Sequence, residues 1–126
     1  MNLVDSSGWL EYFADGPNAD FFAEPIEQVS HLIVPTICLF EVFKKLLQET
    51  RNEELALELA AQMHQGKIVD LTGPLALTAA GLSFQLKLPL ADSIVLATAR
   101  MERAELWTQD SDFQDMPEVK YRERQK

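Results

Sequence analysis

Short apolar runs and longer segments with helically spaced apolar residues follow one another along this chain. The short runs predict strands at residues 2–5, 31–34, 67–71, 104–108 and 119–121, the last at the edge of a sheet. The longer segments predict helices at residues 8–13, 19–28, 37–50, 51–66, 75–86 and 90–99. This alternation favours an α/β fold with a mainly parallel sheet of four to five strands and helices on both faces.

Local signals refine the boundaries of these helices. Pro25 is expected to interrupt the second helix, Thr36 to cap the start of the third, and Gly66 to end the fourth. In the third helix, Ile37, Phe40 and either Phe43 or Lys44 follow helical spacing with Leu47, and this stripe predicts the face that is turned to the core. No repeat or linker interrupts residues 1–126, and we expect one domain.

The segment of residues 88–99 is apolar almost all the way round until Arg100, and a helix without a polar face is a buried helix. Asp92 lies in its first turn, where free N–H groups and the helix dipole favour a negative charge. Burial nevertheless makes an unpartnered carboxylate costly. Asp92 is therefore either a simple capping residue or part of a functional group of acids.

Three other acids have comparable positions in the predicted fold. Asp5 and Asp110 follow the first and fourth strands, and Glu41, like Asp92, is placed in the first turns of a helix. Ligands of open parallel sheets bind at the carboxyl ends of the strands, so the four acids are expected at one edge. Converging carboxylates repel one another unless protons or cations balance them.

Carboxylate oxygens select hard cations such as Mg²⁺ or Mn²⁺, which keep part of their water and bind substrate phosphates. Four acids at one sheet edge therefore indicate metal-assisted cleavage of a phosphodiester bond. Two simpler explanations stay open at this point. Asp5 could merely cap the following helix together with Ser6, and Glu41 could form an ion pair with Lys44 or Lys45.

The composition limits the possible classes of protein. The chain has 126 residues, a formal net charge of −9 and a pI near 4.6, which argues against nonspecific binding to a polyanion unless bound metal offsets the acids. A single cysteine, Cys38, excludes an internal disulfide. No apolar run approaches the length of a membrane span, and the N-terminus does not resemble a signal peptide. We expect a cytoplasmic protein.

Other chemistries find little support in the sequence. His31 is expected to open a strand and His64 to lie in a helix, and neither has a partner at metal-ligand spacing. The five glycines are scattered, so they form no phosphate-binding loop. Aromatic residues such as Trp9, Phe40 and Phe43 are expected in the core.

Four motifs in this order resemble those of PIN-domain ribonucleases of the VapC type, the toxin half of bacterial and archaeal toxin–antitoxin pairs. They are Leu3-Val-Asp5-Ser-Ser, Val34-Pro-Thr-Ile-Cys-Leu-Phe-Glu41-Val, Leu88-Pro-Leu-Ala-Asp92-Ser-Ile-Val-Leu-Ala-Thr-Ala and Trp107-Thr-Gln-Asp110-Ser-Asp112-Phe. The third and fourth motifs are the specific ones. The resemblance covers the whole chain and implies a PIN-like three-layer fold.

The resemblance implies a metal-dependent endoribonuclease with an acidic quartet. By position, Asp5 and Asp92 would be the principal ligands of Mg²⁺ or Mn²⁺, and Glu41 and Asp110 would complete the site. In addition, small hydroxyl residues and a second acid match the family pattern around the pocket, at Ser6, Thr108 and Asp112. Either Asp110 or Asp112 could be the direct ligand.

The resemblance also implies an RNA substrate, a homodimer, and an antitoxin that wraps the toxin and blocks its pocket. Candidate RNA-facing cations are Lys44, Lys45, Arg51 and the basic residues of the tail, 122–126. Two alternatives remain. One is a catalytically silent PIN-fold binding module, and the other is a phosphoryl-transfer domain in which Asp5 is the nucleophile.

Overall fold

Five parallel strands form one sheet in the structure, which is a computed structural model that describes residues 1–125. The strands are β1 (Asn2–Val4), β2 (Leu32–Pro35), β3 (Lys67–Val69), β4 (Glu105–Thr108) and β5 (Val119–Tyr121). Their order across the sheet is β3-β2-β1-β4-β5, and all four neighbouring pairs are parallel. The expected edge strand at residues 119–121 is confirmed.

Six helices connect the strands. They are α1 (Ser6–Phe13), α2 (Ala19–Glu27), α3 (Thr36–Thr50), α4 (Glu53–Met63), α5 (Gly73–Leu86) and α6 (Leu90–Met101). Consecutive helices pack as pairs, α1 with α2, α3 with α4 and α5 with α6. The predicted α/β fold with three layers is confirmed. No helix within residues 1–125 is long and apolar enough to cross a bilayer.

The core lies around the three inner strands and the helix that the sequence predicted to be buried. Leu3 of β1 is paired with Ile33 of β2 and with Leu106 of β4, and all three side chains are inaccessible to solvent. Residues 93–99 of α6 are buried without exception. This confirms that a helix without a polar face becomes an interior helix, and it fixes the helix that carries Asp92.

Three predictions are wrong, namely the interruption of α2 and both limits of α4. Helix α2 continues through Pro25, whose missing N–H is tolerated near the helix end because Phe22 and Ile26 are buried around it. Arg51 ends α3 in a left-handed conformation (φ 51°), and α4 begins only at Glu53. Gly66 does not end α4, which stops at Met63 with His64 as its cap. Gly66 instead packs beside β2, where an added Cβ would lie 3.1 Å from Leu32.

The stripe predicted to face the core in α3 is confirmed only in part, since Ile37, Phe43 and Leu47 are partly buried against the core. Cys38, Val42 and Leu46 are buried, whereas Phe40 is 62% exposed. The prediction that Phe40 belongs to the core is therefore wrong. The helix begins directly at Thr36, with Pro35 in the capping position, so the predicted cap by Thr36 is also wrong.

The two histidines lie at the ends of helical elements. His31 ends a 3₁₀ turn, Val29–His31, and does not open β2 as predicted. His64 is the residue that caps the C-terminus of α4, and both imidazoles are exposed. They therefore lie outside the sheet edge at which the acids were expected.

Candidate active site

A cavity of about 520 Å³ opens at the carboxyl ends of β1 and β4. It lies where α1 follows β1 and where a 3₁₀ turn, Ser111–Phe113, follows β4, and α3 and α6 complete its wall. Its lining includes all four acids of the predicted quartet, Asp5, Glu41, Asp92 and Asp110. The structure thus brings to one place residues that are far apart in the sequence.

Asp5 occupies the wall of the cavity where β1 turns into α1. Its Oδ1 accepts hydrogen bonds from the Ser7 hydroxyl at 2.7 Å and from the Gly8 N–H at 3.0 Å, so it caps α1. Its Oδ2 accepts a hydrogen bond from the Thr108 hydroxyl at 2.5 Å. Burial raises the pKa of Asp5 to about 6, although these three donors act in the opposite direction.

Asp5 therefore performs the capping role that was the simpler explanation for it, and it also lines the cavity. The two roles are compatible because a carboxylate has lone pairs to spare after two or three hydrogen bonds. Gly8 could not be replaced here, since an added Cβ would lie 2.6 Å from Phe22 and from Val4. The close packing of α1 on β1 thus fixes the position of the Gly8 N–H, which donates a hydrogen bond to Asp5.

Glu41 is held at the cavity by the Ser6 hydroxyl, which donates to its Oε1 at 2.7 Å. It is the sixth residue of α3 and so lies in the second turn, not in the first turn as predicted. The alternative ion pair with Lys44 or Lys45 does not form within residues 1–125. Lys45 pairs with Glu49 at 3.6 Å, and the Lys44 ammonium lies 5.8 Å from the centre of the Phe40 ring.

Three carboxylates form a close group that we call the acidic triplet, consisting of Asp92, Asp110 and Asp112. Each offers an oxygen within 4.8 Å of the others. Burial, followed by the negative charge of Asp110, raises the pKa of Asp92 to about 8, and Asp112 adds to the effect. A carboxyl group in this state holds its proton near neutral pH unless a cation replaces that proton.

The turn after β4 places two members of the triplet. Asp110 caps the Ser111–Phe113 turn by accepting the N–H of Asp112 at 2.9 Å. The N–H of Asp110 in turn donates to the Thr108 hydroxyl at 2.9 Å, and Thr108 is fully buried. The hydroxyl of Thr108 therefore connects the triplet with Asp5, to which it donates.

The donors around the cavity suit a hard divalent cation. Mg²⁺ and Mn²⁺ bind carboxylate oxygens and are favoured where acids crowd together without basic partners. Asp92 and Asp110 belong to the triplet as well as to the cavity, whereas Asp5 and Glu41 line the cavity outside the triplet. The ligand roles assigned to these residues remain predictions.

Sequence reasoning missed two buried amides beneath the cavity. The side-chain N–H₂ of Asn18 donates to Oε1 of Gln109 at 2.9 Å and to the carbonyl oxygen of Glu123 at 3.0 Å. Gln109 donates in turn to the carbonyl oxygen of Ser7 at 3.4 Å. The only signal in the sequence is the position of Gln109 between Thr108 and Asp110. Asn18 follows Gly16 and Pro17, a pair typical of a turn.

Sequence comparison identifies a family. The model of the PIN domain matches residues 3–119 of the chain. No curated protein matches the sequence significantly.

Solved structures of similar fold agree with that match. A toxin–antitoxin complex from Klebsiella pneumoniae has 24% identity and a TM-score of 0.79, covering 94% of this chain and 95% of that one. The sarcin–ricin loop cleaving toxin VapC20 of Mycobacterium tuberculosis has 16% identity and a TM-score of 0.72, covering 90% and 92%. VapBC2 of Rickettsia felis, bound to a DNA fragment from its promoter, has 13% identity and a TM-score of 0.73, covering 97% of each chain. At these identities the likeness is one of fold.

Proposed function

This chain belongs to the PIN-domain family, and from that premise we propose that it is a metal-dependent endoribonuclease and the toxin of a toxin–antitoxin pair. The observation that carries the proposal is the acidic triplet beside the cavity. Three carboxylates within 4.8 Å of one another, one of them with a pKa raised to about 8, require a balancing cation when all are ionised. We propose Mg²⁺ or Mn²⁺ as that cation.

Asp5 and Asp92 are the principal ligands in this proposal, and Glu41 and Asp110 complete the site directly or through water. All four line the same cavity, which supports a shared role. Asp112 takes part through the triplet, in support of Asp110 or in its place. A bound ion would supply Lewis-acid stabilisation of the phosphoryl oxygens and would lower the pKa of the attacking water.

Two hydroxyl groups of the protein position the acids of the proposed site. The hydroxyls of Ser6 and Thr108 donate to Glu41 and Asp5, so each carboxylate presents its free lone pairs in a fixed direction. Fixed carboxylates can orient an attacking water in line with a phosphodiester bond without reorganisation during the reaction. The positioning of these two acids is therefore the contribution of α1 and β4 to catalysis.

The alternative in which Asp5 is a nucleophile finds less support. Asp5 is only 5% exposed, and both of its oxygens accept hydrogen bonds from protein donors. Three donors to one carboxylate weaken its oxygens as nucleophiles, whereas they leave lone pairs that a metal ion could use. The silent binding module remains the other alternative, and it is opposed by the cost of keeping several uncompensated acids together.

We also propose an antitoxin partner and a homodimer. The Klebsiella pneumoniae neighbour is a toxin–antitoxin complex, and this chain exposes apolar surface that a partner could cover. One groove between α3 and α4 is almost wholly apolar and includes Phe40, Phe43 and Leu57. On α5, Leu77 is 77% exposed and Phe84 is 88% exposed.

The negative charge of the chain suits a basic antitoxin segment. Residues 1–126 are taken as one PIN domain in this proposal. A cytoplasmic location is part of the same proposal, in keeping with the single cysteine, which is buried and free.

The decisive experiment is cleavage of a mixed RNA pool by purified protein with Mg²⁺, with Mn²⁺ or with EDTA. Asp92→Asn is the matched variant, since it keeps the size of a side chain that makes no hydrogen bond needed for the fold within residues 1–125. We expect cleavage by the wild-type protein with metal, none with EDTA, and a loss of about 1,000-fold or more in the variant. Expression of the wild-type chain should arrest growth, and expression of Asp92→Asn should not.

Metal-independent cleavage, or equal cleavage by Asp92→Asn, would contradict the proposal. A wild-type protein that cuts no RNA under any condition and yet binds metal would favour the silent binding module. A stable adduct on Asp5 after treatment with a phosphate analogue, detected by mass spectrometry, would favour the phosphoryl-transfer alternative.

A further inference from the structure

The C-terminal segment of the chain runs along the wall of the acidic cavity. Beyond Tyr121, at the end of β5, the N–H of Arg122 donates to the carbonyl oxygen of Thr108 at 3.1 Å, so the segment continues beside β4. Two residues later, Arg124 lines the cavity. The predicted basic tail thus brings one of its cations to the acids, while its last residue, Lys126, lies outside the described residues.

Two contacts fix the path of this segment. The buried amide of Asn18 donates to the carbonyl oxygen of Glu123 at 3.0 Å, and Asn18 is fully buried. The guanidinium of Arg122 lies 4.6 Å from the centre of the Phe21 ring, a cation–π distance. The residues on the N-terminal side of Arg124 are therefore anchored, so the position of Arg124 at the cavity is set by the fold.

Acidic side chains outnumber basic ones in the lining of the acidic cavity. Six carboxylates and two cations, Lys45 and Arg124, line the cavity. Lys45 forms an ion pair with Glu49, whereas Arg124 forms none with any carboxylate of residues 1–125, and its side chain is exposed. An unpaired guanidinium has donors in a planar fork that matches the oxygens of a phosphate.

Arg124 also lines a second depression, of about 490 Å³, that adjoins the acidic cavity. Asp110 and Arg124 belong to the walls of both. The remaining lining of the second depression consists of Gln109, Ser111, Tyr121 and one further acid, Glu123. A nucleic-acid strand that enters the acidic cavity therefore has a continuation into which it can pass, and Arg124 stands at the junction.

We propose that Arg124 binds the RNA phosphate next to the one that is cut, and that the strand continues from the acidic cavity into the second depression. This inference rests on the proposed ribonuclease function and adds a substrate-binding residue to it. The acids repel the phosphate backbone, so an isolated cation at the exit has a large effect on where the strand lies. Arg124 would affect binding of RNA and not the bond-breaking step.

The test measures cleavage of short single-stranded RNA of random sequence with Mn²⁺ at several salt concentrations. The variants are Arg124→Gln and Arg124→Lys, and the matched control is Arg103→Gln. Arg103 is an exposed arginine that precedes β4 and so lies at the opposite edge of the sheet. All three are surface changes, and equal melting temperatures will verify that the fold is intact.

For Arg124→Gln we expect KM to rise about 5- to 10-fold and kcat to stay within about 2-fold. The slope of log(kcat/KM) against log[salt] should become shallower by about 0.7, the value for one lost phosphate contact on a single strand. Arg124→Lys should recover the salt dependence, since it keeps the charge, but only part of the KM, since it lacks the planar fork. Arg103→Gln should behave as the wild-type protein.

The outcomes separate this inference from the function on which it rests. A wild-type protein that cuts no RNA would overturn both. A wild-type protein that cuts RNA, with Arg124→Gln equal to Arg103→Gln in KM and salt dependence, would overturn the role of Arg124 alone. A fall in kcat at unchanged KM would also overturn it, because it would place Arg124 in the chemical step.

Discussion

Two carboxylates in the wall of the same cavity, Asp5 and Asp92, have opposite surroundings. Asp5 is almost completely buried, and the hydroxyls of Ser7 and Thr108 and the N–H of Gly8 donate to it. Asp92 is only partly buried, and its closest charged neighbours are two further acids, Asp110 and Asp112. The protein itself thus compensates the charge of Asp5, whereas it concentrates charge around Asp92.

The difference separates structure from function within a set of acids that look alike in the sequence. A carboxylate that accepts hydrogen bonds from a helix end and a buried hydroxyl stabilises the fold. A group of carboxylates that has one backbone donor among its members, as in the triplet, destabilises the fold until a proton or a cation balances the charge. We infer that Asp5 serves both the fold and the site, and that the acidic triplet serves the site at the expense of stability.

The largest expected effect is the loss of stability when the side chain of Asp5 is removed. Asp5→Ala removes the cap of α1 and leaves the hydroxyl of Thr108 and the N–H of Gly8 without this acceptor. We expect the free energy of unfolding to fall by about 1–3 kcal/mol, less than the sum of the lost bonds because the cost of burying the charge disappears. Urea denaturation at neutral pH measures this change as a lower midpoint at unchanged slope.

Asp5→Asn is the matched control for that measurement. Its side-chain oxygen can still accept from Gly8, and the Thr108 hydroxyl can rotate to accept from the new amide. We expect this variant to lose less than about 1 kcal/mol of stability. An Ala variant as stable as the wild-type protein would mean that the contacts of Asp5 contribute nothing to the fold. The contrast between Asp5 and Asp92 would then be wrong.

The features of the fold that the sequence predicted are those that depend on local patterns. Apolar runs marked the strands, and the absence of a polar face marked α6 as buried. Since the strands are parallel, acids that follow strands must meet at one edge, and this placed Asp5 and Asp110 correctly at the cavity. The rule needed no knowledge of side-chain contacts.

The predicted core-facing stripe of α3 was wrong at Phe40 for a physical reason. The helix carries two apolar stripes, one with Cys38 and Val42 and one with Phe40 and Phe43. Helical spacing identifies both stripes, but the packing against α6 and the sheet decides which is buried. The second stripe instead lines the exposed apolar groove between α3 and α4.

The residues that sequence reasoning missed depend on contacts between distant parts of the chain. Asn18 is bonded to Gln109, 91 positions away, and to Glu123, 105 positions away. No local pattern distinguishes such an asparagine from one in an exposed turn. The place of Arg124 at the cavity follows from those bonds, which is why the whole basic tail could be named from the sequence but no member of it could be selected.

A smaller effect is expected when metal is added. Mg²⁺ or Mn²⁺ at ten times its Kd should stabilise the native protein by about 1.4 kcal/mol, because the ion binds the folded site and not the unfolded chain. The melting temperature with and without EDTA measures this, and Asp92→Asn should abolish the shift. Asp5→Asn should reduce it if Asp5 is a ligand, as proposed. Equal melting of the wild-type protein in EDTA and in millimolar metal would contradict a preformed site.

The last effect concerns the stability of the metal-free protein as a function of pH. The pKa values of Asp5 and Asp92 in the folded state are about 6 and about 8, both above the ordinary value of 3.8. Between about pH 4 and 8 the folded protein therefore binds more protons than the unfolded chain, so these two groups lower the stability as the pH rises. Their contribution is constant below and above that window.

Asp92→Asn isolates the contribution of the triplet, because carboxylates outside the triplet titrate alike in both proteins. In EDTA we expect the variant to be as stable as the wild-type protein near pH 4 and more stable above pH 8, by less than the pKa difference implies because Asp92 is partly exposed to solvent. Urea midpoints across this range measure the difference. Parallel curves for the two proteins would mean that solvent screens the repulsion completely. In that case the proximity of the three acids would not lower the free energy of unfolding, and it would no longer indicate that a cation binds there.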